Sequence, residues 1–159
     1  MKKYVRLLLA LLVLVSIAGC GGSEYRFNNQ RSLPNLTGHY NFSATSQTMS
    51  QQYQGTAEVS QSNLAVQGSV TELFNYCAPS ATVSGSLTPV DDFNPTSVVS
   101  YTVNLVLQEN VVGGGTQEVD LTGTASANGD HWSGTYTAPP GSCTTGDSGV
   151  WSADRYSYP

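Results

Sequence analysis

A chain of 159 residues carries six lysines and arginines against eleven aspartates and glutamates, a formal charge of −5. Lys2, Lys3 and Arg6 lie at its very start; beyond residue 19 only Arg26, Arg31 and Arg155 face all eleven acids, a balance of −8. That shortage of cations excludes a nucleic-acid binder, which needs clustered lysine and arginine to displace phosphate counterions.

The basic start is followed by an apolar run from Leu7 to Val15, extended through Ser16, Ile17 and Ala18. The run is shorter than the roughly 20 apolar residues of a membrane-spanning helix. A basic start, an apolar middle and small residues before a cut together make a removable secretory signal. Its last four residues, Ile17-Ala18-Gly19-Cys20, resemble the lipobox of bacterial lipoproteins: an aliphatic residue, two small ones and an obligatory cysteine. The resemblance covers residues 1–20. It implies that residues 1–19 are removed and that Cys20 becomes a lipidated N-terminus. Several acyl chains, at about 0.8 kcal/mol per buried CH₂, would then hold the protein on a membrane. Gly21 stands where an aspartate would resemble the inner-membrane retention signal of Gram-negative lipoproteins. The implied location is the cell envelope, at the outer membrane where the organism has one.

Residues 20–35 comprise the cysteine and a polar stretch with Gly21-Gly22-Ser23 and Pro34. They read as a tether whose r.m.s. span, for about 15 flexible residues, is about 20 Å. Residues 36–159 then form one domain. Within it apolar residues recur at every second position, the mark of strands buried on one face. The inward sets are Leu36, Gly38, Tyr40 and Phe42; Tyr53, Gly55, Ala57 and Val59; Leu64, Val66, Gly68 and Val70; and Ala81, Val83, Gly85 and Leu87. Val99, Tyr101, Val103, Leu105 and Leu107 follow, then Val119, Leu121, Gly123 and Ala125. The last two sets are Trp132, Gly134 and Tyr136, and Gly149, Trp151 and Ala153.

Glycine recurs in phase with the apolar residues, as it would in a small closed sheet that needs tight coiling and room for neighbouring rings. Eight strands also suffice to make a barrel whose interior side chains just fill it. The fold class is therefore all-β: an eight-stranded antiparallel up-and-down barrel, with a β-sandwich of the same strands as the alternative. With Cys20 assigned to lipid, Cys77 and Cys143 remain as an even pair in an oxidising compartment, which reads as a disulfide. In the barrel these cysteines fall in the third-to-fourth and seventh-to-eighth connections, at one mouth, opposite the end where the tether enters. Asn128-Gly129, at the tether end, reads as a tight hairpin turn.

Gly146-Asp147-Ser148-Gly149 resembles the loop around the nucleophile of chymotrypsin-like serine proteases. The match stops at Val150, where that family has glycine, and neither histidine lies in an Ala-His-Cys motif. A polar turn into the last strand is the expectation. His39 and His131 are expected to point outward, and Asp91 and Asp92 to form a solvated acidic turn rather than a calcium cage. The inward sets contain no charged residue, so no active site is expected inside the barrel. No catalytic residue, metal or cofactor is assigned. The candidate contact surface is the mouth, where Phe74 and Tyr76 flank Asn75 beside Cys77, with Val111 to Gly115 and Pro139-Pro140 nearby.

An up-and-down barrel with an aromatic two residues after glycine resembles lipocalins and avidins. Those families carry Gly-X-Trp on the first strand, where this chain has Gly38-His39-Tyr40; Gly149-Val150-Trp151 lies on the last strand instead. The resemblance is confined to these residues and to Arg155, placed late enough to pack over an end-plugging ring as a late-strand arginine does in lipocalins. The leading functional expectation is a membrane-anchored envelope lipoprotein with a non-catalytic barrel for binding or interaction. Its partner would be an envelope protein or a small apolar ligand. The alternative is a lipocalin-like carrier with a void of several hundred Å³, as such sites have. A remote third is a hydrolase, which would bring a histidine within hydrogen-bond reach of a serine or carboxylate.

Overall fold

A computed structural model describes residues 33–71, 77–90, 100–141, 143 and 146–156. Among them, eight strands form where the alternation predicts: β1 (Gly38–Ser46), β2 (Gln52–Ser62), β3 (Ala65–Thr71), β4 (Ser80–Pro89), β5 (Tyr101–Asn110), β6 (Thr116–Ala125), β7 (His131–Ala138) and β8 (Asp147–Tyr156). Each pairs antiparallel with its neighbour in sequence, and the sheet closes on itself as β1 pairs with β8. That seam runs from His39 opposite Tyr156 to Ser46 opposite Gly149. Closure excludes the sandwich alternative.

The inside of the barrel is a fitting of large side chains beside small ones. Phe42 is flanked across the ladders by Gly55 and Ala153, Trp132 by Ala125 and Ala153, and Trp151 by Ala44 and Gly134. Alternating volumes in this way lets rings interdigitate at interior density without strained rotamers. Two inward glycines, Gly123 and Gly134, face each other across β6 and β7. A Cβ on Gly134 would lie 2.0 Å from the Thr122 carbonyl oxygen and 2.5 Å from the Gly123 Cα. The strands therefore approach too closely there for any side chain. Tight coiling accounts for these glycines. Room for a ring is the second reason, at Gly149, where a Cβ would stand 2.8 Å from Tyr136 Cε1.

Outward positions on the strands are largely polar: Thr56, Glu58 and Ser60 on β2, Thr82, Ser84 and Ser86 on β4, and Glu118, Asp120 and Thr122 on β6. A lipid-facing barrel carries the reverse pattern, apolar outside and polar within.

Three local expectations change. Leu64 is exposed, because Asn63 and Leu64 form the two-residue turn between β2 and β3 and Asn63 takes a positive φ of 54°. Leu36 is fully buried but precedes β1. Asn128-Gly129 belongs to a five-residue connection, in which Gly129 N donates to Ser126 O at 2.9 Å and Gly129 takes a φ of 77°. Val99, Asp91 and Asp92 lie outside the described residues.

Candidate functional site: the half-open mouth

The two ends of the barrel are finished differently. At the end where residues 33–37 enter, the interior is plugged. Tyr40 and Trp132 meet edge to face with ring centroids 4.8 Å apart, and the Arg155 guanidinium lies 5.3 Å from the Tyr40 ring centre. The Gly129 carbonyl accepts from the Tyr40 hydroxyl at 2.9 Å and from Trp132 Nε1 at 3.0 Å. Arg155 also donates to the carbonyls of Asn35 and Thr37 and to the Tyr40 hydroxyl, while Asp130 stands 3.1 Å from its Nε. Pro34 is buried, so the chain is already held against the barrel before β1 begins.

Among the described residues, the opposite end carries no such plug. There the Cys77–Cys143 disulfide joins the β3–β4 and β7–β8 connections, with a Cα–Cα distance of 5.6 Å. Val112 N donates to Cys77 O at 2.8 Å, and Cys143 N donates to Gln117 Oε1 at 2.8 Å, so the bridge is fastened to β6 and to the β5–β6 connection. Beneath it lies a cavity of about 60 Å³, walled by Phe42, Ala44, Leu107, Leu121 and Ala138. A second, wholly apolar void of about 20 Å³ follows deeper in, sharing Phe42, Leu107 and Leu121 with the first. On that scale one water needs about 10–15 Å³. The mouth cavity holds a few waters; a cavity that encloses a benzene ring measures about 150 Å³, so a ring would seat here only in part.

The cavity carries the charge that the sequence places elsewhere. Asp147 is 7% exposed and sits on the inner wall, which corrects both the uncharged interior and the reading of Gly146–Gly149 as a polar turn. The inward period of β8 continues one step beyond Gly149 to Asp147. Ser46 Oγ donates to Asp147 Oδ1 at 2.6 Å and the Tyr136 hydroxyl donates to Oδ2 at 2.7 Å. The Ser148 backbone N–H adds a third bond, to Oδ1, at 2.8 Å. Burial pushes the Asp147 carboxyl up, but the bonds from Ser46, Tyr136 and Ser148 N more than reverse it and hold it below the usual carboxylate range. Tyr136 moves the other way: burial raises its phenol strongly, and the Asp147 carboxylate adds to the rise.

Glu109 and Tyr53 complete the lining. Glu109 is partly buried, and burial raises its carboxyl above the usual range. Burial also raises the Tyr53 phenol, reinforced by the charges of Asp147 and Glu109. Among the described residues, no hydrogen bond or ion pair meets the Glu109 carboxylate. Glu109 and Gln117 each continue an inward run by one position, from Leu107 and Val119. That continuation is the available signal, though a polar residue at a strand end is equally consistent with the start of a turn.

The other candidates fall elsewhere. Phe74 and Tyr76 lie outside the described residues, as does Cys20. His131 is exposed on the outer wall, where its Nδ1 stands 2.6 Å from Asp154 Oδ1 of the neighbouring strand. That is the histidine–carboxylate approach a hydrolase needs, but it is a cross-strand surface pair remote from the cavity. His39 is half-buried beside Tyr156, ring centroids 6.1 Å apart.

No protein-family model matches this sequence, and no curated protein is found similar to it. Among solved structures, the chain is similar to that of EF1p2_mFAP2b bound to DFHBI, at 12% identity and a TM-score of 0.47. The alignment covers 76% of this chain and 94% of that one.

Proposed function

We propose that this protein is a membrane-anchored lipoprotein of the cell envelope, held through Cys20, whose barrel is a non-catalytic binding module taking a small ligand at its mouth. The observation that carries the binding part is the contrast between the ends. One is plugged by Tyr40, Trp132 and Arg155, whereas the other keeps a cavity with apolar walls and converging polar groups, the usual make-up of a ligand site. The size of that cavity favours a compact ligand. A carrier of a large apolar molecule, the alternative expectation, needs roughly 300–1,000 Å³, against about 60 Å³ here.

The anchor rests on the lipobox resemblance of Ile17-Ala18-Gly19-Cys20. Metabolic labelling with palmitate tests it: the label is expected on the wild type and lost in Cys20→Ser, and label that persists in Cys20→Ser overturns the anchor. Binding is tested separately, by NMR titration with single-ring compounds. The amides of Ala44, Glu109, Gln117 and Asp147 are expected to shift while those of Gly129 and Arg155 do not. Ala138→Leu, which fills the cavity, is expected to abolish the shifts. Unchanged shifts in that variant would place binding somewhere else.

A further inference from the structure

The mouth cavity is unevenly provisioned, and the imbalance points to a ligand class. Asp147 and Glu109 both line it. Among the described residues the one arginine is Arg155, at the plugged end, and no lysine follows Lys3 in the sequence. The connections at the open end span residues 47–51, 72–79, 111–115 and 139–146, and none contains a lysine or arginine. Among the described residues, no cation at this end therefore balances the two carboxylates.

Their situations differ in a way that matters. Asp147 is saturated: three donors satisfy its oxygens, so it supplies charge but needs no further bond. Glu109 is desolvated without a donor, and the Tyr53 hydroxyl beside the same cavity is likewise met by no hydrogen bond among the described residues. A partly buried carboxylate with no partner is costly, and a cationic donor relieves it by supplying both charge and hydrogen bond. The remaining walls, Phe42, Tyr53, Leu107 and Leu121, offer apolar and aromatic surface, and ring faces attract ammonium ions.

We propose that the mouth cavity binds a small organic cation, an ammonium group on an apolar body of about one ring, with Glu109 pairing the ammonium and Asp147 supplying a second, fixed negative charge. This inference rests on the reading of the mouth as a ligand site and adds the chemical class.

Three probes of the same size separate the two: benzylammonium, benzyl alcohol and benzoate, titrated calorimetrically into the full-length protein near neutral pH. Benzylammonium is expected to bind at least tenfold more tightly than benzyl alcohol, and benzoate not at all. Glu109→Gln is expected to weaken benzylammonium about tenfold and leave benzyl alcohol unchanged. Glu118→Gln, which removes an equal charge from the outer wall, is expected to change neither. The cation assignment is overturned if benzyl alcohol or benzoate matches benzylammonium, if Glu109→Gln has no effect, or if Glu118→Gln weakens binding as much. If none of the three probes binds, the reading of the mouth as a small-ligand site fails with it. Glu109→Gln removes no described contact, so its fold can be verified independently by its thermal transition.

Discussion

At the scale of single residues, the two carboxylates of the mouth make opposite contributions to stability. Asp147 has a folded pKa below its unfolded value, through hydrogen bonds that outweigh burial. Its contribution is present above the unfolded carboxylate value of about 3.9 and is lost as pH falls through the folded value. Ser46→Ala removes the 2.6 Å bond to that carboxylate. We expect a loss of about 1.5–3 kcal/mol at neutral pH, the range for bonds to charged groups. Acid unfolding should also begin at a higher pH than in the wild type, which a series of thermal melts from pH 2 to 7 measures. Glu109 has the reverse sign. Its folded pKa is raised by burial, so the folded state loses stability as pH rises through the unfolded value and up to the folded one. Glu109→Gln should therefore melt higher than the wild type near pH 7 and show little difference near pH 3. Equal shifts at both pH values would mean that burial of the charge is not the cause.

At the scale of elements, glycine placement sets which strands can meet. Gly134→Ala would push a methyl to 2.0 Å from the Thr122 carbonyl oxygen, a backbone atom that cannot swing aside. We expect a loss at the upper end of the about 1–3 kcal/mol typical of overpacking, read as a lower urea midpoint. Gly114→Ala is the control. It has nothing within 4 Å and carries only the strain of its φ of 106°, for which about 1 kcal/mol is expected. Strand number and facing were legible in the sequence because period-2 alternation is dictated by one-sided burial, and Tyr101 to Leu107 shows it with Val106 as the one mismatch. The site was not. Asp147, Glu109 and Gln117 occupy inward positions at strand ends, where a polar residue is equally consistent with a turn. Only the pairing of β8 with β1, which brings Asp147 within reach of Ser46, distinguishes the two. Leu64 shows the opposite error, an apolar residue in phase with its strand yet spent in a turn.

At the scale of the whole molecule, the barrel is fastened by unlike devices at its two ends. The disulfide spans 66 residues, and a loop of that size contributes roughly 4 kcal/mol by restricting the unfolded chain. The double variant Cys77→Ser, Cys143→Ser should lose about that much in guanidinium denaturation, and reductant should destabilise the wild type but not the variant. The plugged end depends on Arg155 instead. Arg155→Met leaves the Asn35 and Thr37 carbonyls short of a donor and should lower stability without altering ligand binding at the mouth.

The seam between β1 and β8 also fixes when this chain can fold. The first strand needs the last as a partner, with Gly38–Ser46 separated from Asp147–Tyr156 by about a hundred residues of intervening sheet. A chain that emerges N-terminus first presents β1 early and can satisfy its second edge only after β8 has appeared. Until then one row of its backbone donors and acceptors stands open to other chains. Contacts so distant in sequence close slowly, because the loop entropy is spent before they form. The late arrival of the ten residues of β8 thus becomes the timing step of the barrel, and a truncation that removes β8 would leave a seven-stranded sheet with two exposed edges rather than a smaller barrel.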